Sequence, residues 1–296
     1  MAPHLFPVTR LAPSASLADA FKTHWCEYLM EAAELGLLMF CICLFGTTLY
    51  SNASPVNHLE LSPTEKAFLM GVAVAVTTFL IIRSPFGRRS GAHFNPAITR
   101  TYFFLGCVHR WDTLNYIASQ FFGAAVGVFI AHLILGGNLA DAPVRYVITI
   151  PGDFGQLIAF VSEFVLSGIL FGIVLFVTNR WPLARFSPGV VAVITVFYHA
   201  FCPSLSGFSV NPARSFSSAM FAQVWQGIWV YFAAPCLGMV AAAAGYIRSQ
   251  GSQRVYCAKI FHDLRTACPF TCHFAELYCD ALHSNAQAAN IRGERL

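Results

Sequence analysis

The tripeptide Asn-Pro-Ala occurs twice in this chain, at Asn95-Pro96-Ala97 and Asn211-Pro212-Ala213, each time opening a short apolar stretch among runs of membrane length. Asn caps free backbone amides and Pro fits the first helical position, so a single copy would mark an ordinary helix start. The flanks repeat too: Ser90-Gly91 and Ser206-Gly207 precede the two copies at the same distance, giving a shared SGxxxNPA pattern. A duplicated helix start inside an apolar chain requires a duplicated architecture.

Apolar residues make up 56% of the chain and charged residues 11%, against roughly 25% charged in a soluble domain. Apolar runs at about 28–50, 67–82, 113–135, 157–177, 188–201 and 225–246 mostly approach the ~20 residues that a spanning helix needs. Six spans are expected, the second and fifth short. Residues 1–25 carry no apolar h-region before a cleavage site, so the first span is expected to act as its own insertion signal. Six spans put both termini in one compartment. Arg10, Lys22, Arg83, Arg88, Arg89, Arg100, Arg110, Arg180, Arg185, Arg248 and Arg254 then share that side, and Lys66 and Arg145 face them. The positive-inside rule makes the termini cytoplasmic, in a plasma or inner membrane. The net charge of +4 follows from this asymmetry and gives no reason to invoke nucleic acid.

A shift of 116 residues lays Asn95 on Asn211, and a shift of 115 lays Tyr116 on Tyr231 and Gly123 on Gly238. Glu31 and Glu163 open the first and fourth spans, each with a glycine five residues on, Gly36 and Gly168. Each half reads span, span, short helix, span, and three spans per half invert the second copy relative to the first. Inverted repeats place a functional site at the midplane, where the halves meet. Gly123 and Gly127 form a GxxxG pair, read as close helix packing.

The short helix from Asn95 to about Leu105 covers ~15 Å, half of a ~30 Å hydrocarbon core. A half-helix is tolerated in a bilayer only where it is buried in protein or lines a wet cavity. The two N-termini are expected to meet head to head. Each Asn carbonyl caps its own helix and leaves its NH₂ as a donor toward the lumen. Two convergent donors, with two positive helix ends, pass a neutral hydrogen-bonding solute while refusing protons and cations. The arrangement points to a pore.

On these motifs, with Gln120 beside Gly123 and the Trp229-to-Gly238 segment, residues 28–246 resemble the aquaporin, or major intrinsic protein, family. The resemblance implies an all-α membrane protein with an hourglass fold: six transmembrane helices, two re-entrant half-helices and one pore per subunit of a homotetramer. The chain then divides into an N-terminal tail (1–25), a channel domain (26–248, repeats at about 26–136 and 155–248) and a Cys/His-rich tail (249–296).

Arg214 follows the second motif directly, and an arginine inside the membrane is functional by default. The resemblance makes it part of a selectivity filter with His199, Phe208 and Ala75. The filter is a hybrid: His199 matches water-selective members, Phe208 matches glycerol-conducting ones, Ala75 replaces a common aromatic, and Ser215 stands where glycerol-conducting members usually have Asp. The resemblance assigns Glu31 and Glu163 to support of the loop backbone, with Gln120 beside them. His93, just before the first motif on the cytoplasmic side, is read as a vestibule residue or a backbone contact within the loop.

After Tyr246 the chain turns polar and gathers Cys257, His262, Cys268, Cys272, His273, Cys279 and His283. Cys268 and Cys272, completed by Cys257 and His262, offer four ligands for zinc, although the spacing matches no standard finger. An unstructured tail with reduced thiols is the other reading, since a cytosolic tail argues against stable disulfides. The pore is expected to end before Cys257 in either case.

The leading function is a passive channel for water and small neutral solutes, in contact with the bilayer and without another cofactor. A glycerol-conducting channel and a coupled secondary transporter are the alternatives. No enzymatic motif is present.

Overall fold

A computed structural model describes residues 16–263 and 265–277. The N-terminal stretch with Arg10, and the final segment with Cys279 and His283, lie outside the described residues. The helices that matter for the site are α1 (Leu17–Tyr50), α2 (Pro63–Arg83), α3 (Pro96–Phe104), α4 (Arg110–Leu135), α5 (Gly155–Thr178), α6 (Ser187–Phe201), α7 (Pro212–Ala222) and α8 (Ile228–Gln250). Among them α1, α2, α4, α5 and α8 are long and apolar enough to cross a bilayer. The sixth crossing, α6, has 15 residues and rises ~22 Å.

Two boundaries differ from the apolar runs. The second span is not short: α2 starts at Pro63 because the Ser62 hydroxyl accepts from the Glu65 amide, while the Glu65 carboxylate accepts from the Ser62 N–H at 2.8 Å. This capping box carries helix into polar sequence. Likewise α1 begins at Leu17, capped by Ser16, so helix extends into the expected N-terminal tail.

Helix pairing follows the repeat: α1 packs on α4 and α5 packs on α8, while α2 and α6 meet across the halves. Glycine permits both equivalent contacts. A Cβ on Gly123 would lie 2.0 Å from the carbonyl oxygen of Ala32, and one on Gly238 would lie 2.1 Å from that of Phe164. Ala32 and Phe164 each follow a repeat glutamate, so the two halves use the same backbone approach.

Six crossings leave both described chain ends on one face, hereafter the terminal face. Beyond α8 the chain folds back onto this face. Val255, Tyr256, Ile260, Phe270 and Phe274 are buried in one core with residues of both halves.

Candidate functional site

The half-helices α3 and α7 start where their sequences prescribe. Asn95 Oδ1 accepts from the Ala97 amide at 2.9 Å, and Asn211 Oδ1 accepts from the amides of Ala213 and Arg214 at 3.1 and 3.3 Å. Pro96 and Pro212 occupy the first helical position in each. The amide groups do not both turn wholly to the lumen. Asn95 Nδ2 donates to the carbonyl of Val210 at 2.8 Å, and Asn211 Nδ2 donates to that of Phe94 at 2.9 Å. Each NH₂ group retains a second hydrogen.

Phe94 and Val210 point their carbonyls this way because their backbones are left-handed, at φ 30° and 50°. That region is unfavourable for non-glycine residues and above all for β-branched ones. The glutamates hold it. Glu31 accepts from the amides of His93 and Phe94 at 2.8 and 2.7 Å, and Glu163 accepts from those of Ser209 and Val210 at 2.8 and 2.7 Å. Gln120 Nε2 donates to Glu31 at 2.7 Å, and the Ser206 hydroxyl donates to Glu163 at 2.8 Å. Tyr116 and Tyr231 complete the symmetry by donating to the carbonyls of Ser90 and Ser206. Both carboxylates are consumed by backbone and side-chain donors.

A cavity of about 100 Å³ joins Asn95 and Asn211 to Arg214, His199 and Phe208 on one side and to Ile260 on the other. This is room for a short file of waters. Arg214 is 8% exposed, and its Nη1 is buried without a protein acceptor. A guanidinium N–H so placed can donate to a solute oxygen. His199 Nδ1 lies 2.9 Å from the carbonyl of Thr195; a carbonyl only accepts, so Nδ1 carries a proton, and in the neutral ring Nε2 is then an acceptor. The imidazole meets the Phe208 ring edge to face, with centroids 4.7 Å apart.

Ala75 is buried and is not among the cavity-lining residues; Val74 and Thr78 supply the α2 wall. Gly71, not singled out in the sequence, brings α2 against α6 at His199: a Cβ there would lie 2.8 Å from that of His199. Ser215 is turned away to bond Thr149 and Ser209 at 2.6 and 2.5 Å, so it secures the loop. His93 is fully buried, stacked on Phe270 at 5.1 Å, with Nε2 2.8 Å from the carbonyl of Ala258.

Ile260 overturns the expectation that the pore ends before Cys257, because it lines the same cavity as the Asn pair. Nothing in its local sequence marks it. It is placed by one residue from each half: its N–H donates to the carbonyl of Gly91 at 3.0 Å, and its carbonyl accepts from the Ser187 hydroxyl at 2.5 Å. Behind it, one ligand atom from each of Cys257, His262, Cys268 and Cys272 lies within 4.8 Å of the others. Burial pushes the Cys257 thiol well up and the Cys268 thiol up to about 12, while hydrogen bonds from those two hold the Cys272 thiol down.

Residues 21–246 match the family described as Major intrinsic protein. Aquaporin-4 of Notomys alexis is 26% identical over 238 residues, covering 78% of this chain and 70% of that protein. Aquaporin Z of Photorhabdus laumondii is 28% identical over 226 residues, covering 73% and 95%. The aquaglyceroporin of Plasmodium falciparum superposes with a TM-score of 0.60 at 21% identity, over 75% of this chain and 95% of that one, a likeness of fold. With the family match running through both Asn-Pro-Ala copies and all six crossings, the chain belongs to the major intrinsic protein family.

Proposed function

We propose that the chain is a passive channel for water and other small neutral solutes that excludes protons and ions. The carrying observation is the single cavity in which Asn95, Asn211, His199 and Arg214 present hydrogen-bonding groups at the meeting point of two half-helix N-termini. Donors fixed by the fold orient each water oxygen toward Asn95 and Asn211, which interrupts a proton wire, and the helix ends with Arg214 repel cations. The names of the aquaporin relatives support the same reading.

A coupled transporter needs a titratable or multi-oxygen midplane site. The described lining offers no carboxylate, since Glu31 and Glu163 are bound to loop backbone. The filter set is His199, Phe208 and Arg214, with α2 contributing Val74 and Thr78, on either side of Ala75 in sequence. The terminal face is cytoplasmic, in a plasma or inner membrane, and four copies assemble with one pore each. Stopped-flow light scattering on proteoliposomes tests the function: water permeability is expected to exceed that of bare lipid without any ion gradient. Accumulation of a solute above equilibrium, driven by protons or sodium, would overturn it.

A further inference from the structure

The segment after α8 contains little regular structure, yet it buries three cysteines and a lysine and stands across the terminal mouth of the cavity. With so little regular structure of its own, the stretch holds its conformation through contacts with the channel and through whatever staples its own loop. Its backbone bonds to the channel, from Ile260 N–H to Gly91 and from Thr271 N–H to Cys107, tie it only to the first half. Asn179, whose carboxamide accepts from the Tyr256 N–H at 2.8 Å, and Ser187 tie it to the second. Between these anchors the chain doubles back on itself, and the four ligand residues come together at the base of the loop.

The donor set fits a tetrahedral thiophilic ion. Cys257 Sγ and Cys268 Sγ are 3.5 Å apart, and His262 Nε2 is 3.1 Å from Cys272 Sγ. Zinc bonds of ~2.3 Å to sulfur and ~2.0 Å to nitrogen place tetrahedral ligand atoms roughly 3.5–3.8 Å apart, so small side-chain adjustments close the shell. Three thiolates and a neutral imidazole around Zn²⁺ leave one negative charge. Lys259 is buried beside them, its Nζ held by the carbonyls of Arg88 and Ala267 at 2.5 and 2.7 Å, and its N–H donates to Cys257 Sγ at 3.5 Å. A buried ammonium offsets the surplus charge. Three thiols and one imidazole favour zinc over the hard cations.

We propose that Cys257, His262, Cys268 and Cys272 bind one zinc ion, and that the metal fixes the tail as a cap holding Ile260 across the terminal mouth of the pore. The cap is two-sided by construction. Phe270 stacks on His93 from the first half, and Phe274 packs on Trp181 from the second, at 5.1 and 6.0 Å between centroids. His262 lies flat on Phe274 at 4.2 Å, which joins a ligand directly to the packed face. Removing zinc frees both arms of the loop, and Ile260 leaves the mouth.

The flux arm of the test rests on the channel reading, whereas the metal arm does not. Full-length protein purified without chelator is assayed for zinc and for free thiols, then reconstituted and measured for water flux before and after a membrane-permeant zinc chelator. The expected result is about one zinc per chain, lost on chelation and in the Cys268→Ser, Cys272→Ser variant, with water flux rising several-fold in both. Ile260→Ala should raise flux while zinc is retained. Sub-stoichiometric zinc, or a Cys257–Cys268 disulfide in its place, overturns the metal site. Equal flux with and without zinc, together with an unchanged Ile260→Ala variant, overturns the cap. If the double variant does not fold, chelation of the wild-type protein decides alone. Flux no greater than bare lipid in every form, Ile260→Ala included, would overturn the channel reading and the cap with it, while zinc content would still decide the metal.

Discussion

Asn95 and Asn211 each donate to the carbonyl immediately before the other, from Asn95 Nδ2 to Val210 and from Asn211 Nδ2 to Phe94. The two half-helix starts are therefore fixed to each other as well as to their own repeats. This exchange requires Phe94 and Val210 to stay left-handed, which depends on the carboxylates of Glu31 and Glu163.

Replacing either glutamate by glutamine tests that dependence. A carboxylate accepts from two backbone amides, whereas a glutamine turns one NH₂ toward a buried donor. Leaving one such donor unmet costs about 1–3 kcal/mol. Glu31→Gln and Glu163→Gln should each lower the melting temperature in detergent and reduce water flux together. A variant that melts like wild type would show that the loops hold their conformation without the carboxylate.

Glycine substitutions separate close packing from composition. Gly123→Ala and Gly238→Ala force a methyl into the carbonyl oxygens of Ala32 and Phe164, so each should destabilise by about 1–3 kcal/mol. Gly245→Ala and Gly189→Ala add a methyl where nothing lies within 4 Å, and the lower entropy of the unfolded chain should stabilise by roughly 0.4–1 kcal/mol. Thermal unfolding of the four variants in one detergent gives the comparison. Equal effects at all four positions would contradict the packing account.

Much of this arrangement was legible in the sequence because it is written twice. The paired motifs, the paired glutamates and the Gly123 and Gly238 contacts all follow from the internal repeat. What the repeat does not contain was harder to read. The start of α2 depends on a capping box between Ser62 and Glu65, a local polar signal outside the apolar run. Ile260 reaches the cavity through Gly91 and Ser187, residues remote in sequence, so no periodicity could reveal it. The four tail ligands have irregular spacing because packing against both halves positions them, instead of a local hairpin. The resemblance puts Ala75 in the filter, but helix rotation puts Val74 and Thr78 on the cavity wall.

Arg214 supplies a fixed positive charge and an unpartnered Nη1 in the cavity. Arg214→Val should remove both and enlarge the passage, which raises leakage of small cations and larger neutral solutes while Asn95 and Asn211 remain in place. Ion-sensitive dye flux and solute swelling assays on folded variant protein measure the two effects. Unchanged selectivity would remove Arg214 from the filter.

In the proposed channel, His199 and Phe208 are the residues expected to set the balance between water and glycerol. Their rings are 4.7 Å apart and share the cavity wall, so the imidazole supplies both width and an acceptor nitrogen while the phenyl supplies an apolar surface. Gly71 opposite His199 contributes no side chain, and the close approach of α2 to α6 leaves the imidazole as the group that a smaller residue would replace. His199→Gly should therefore admit glycerol, whose carbon backbone can lie along Phe208, while the wild-type chain conducts water well and glycerol poorly. Glycerol and water permeabilities of both proteins, reconstituted at equal density, decide the matter. A gain of glycerol flux confined to the variant makes His199 the width-setting residue; high glycerol flux in both would place the wild type with glycerol-conducting channels, the space around Ala75 and Gly71 being sufficient without any change at His199.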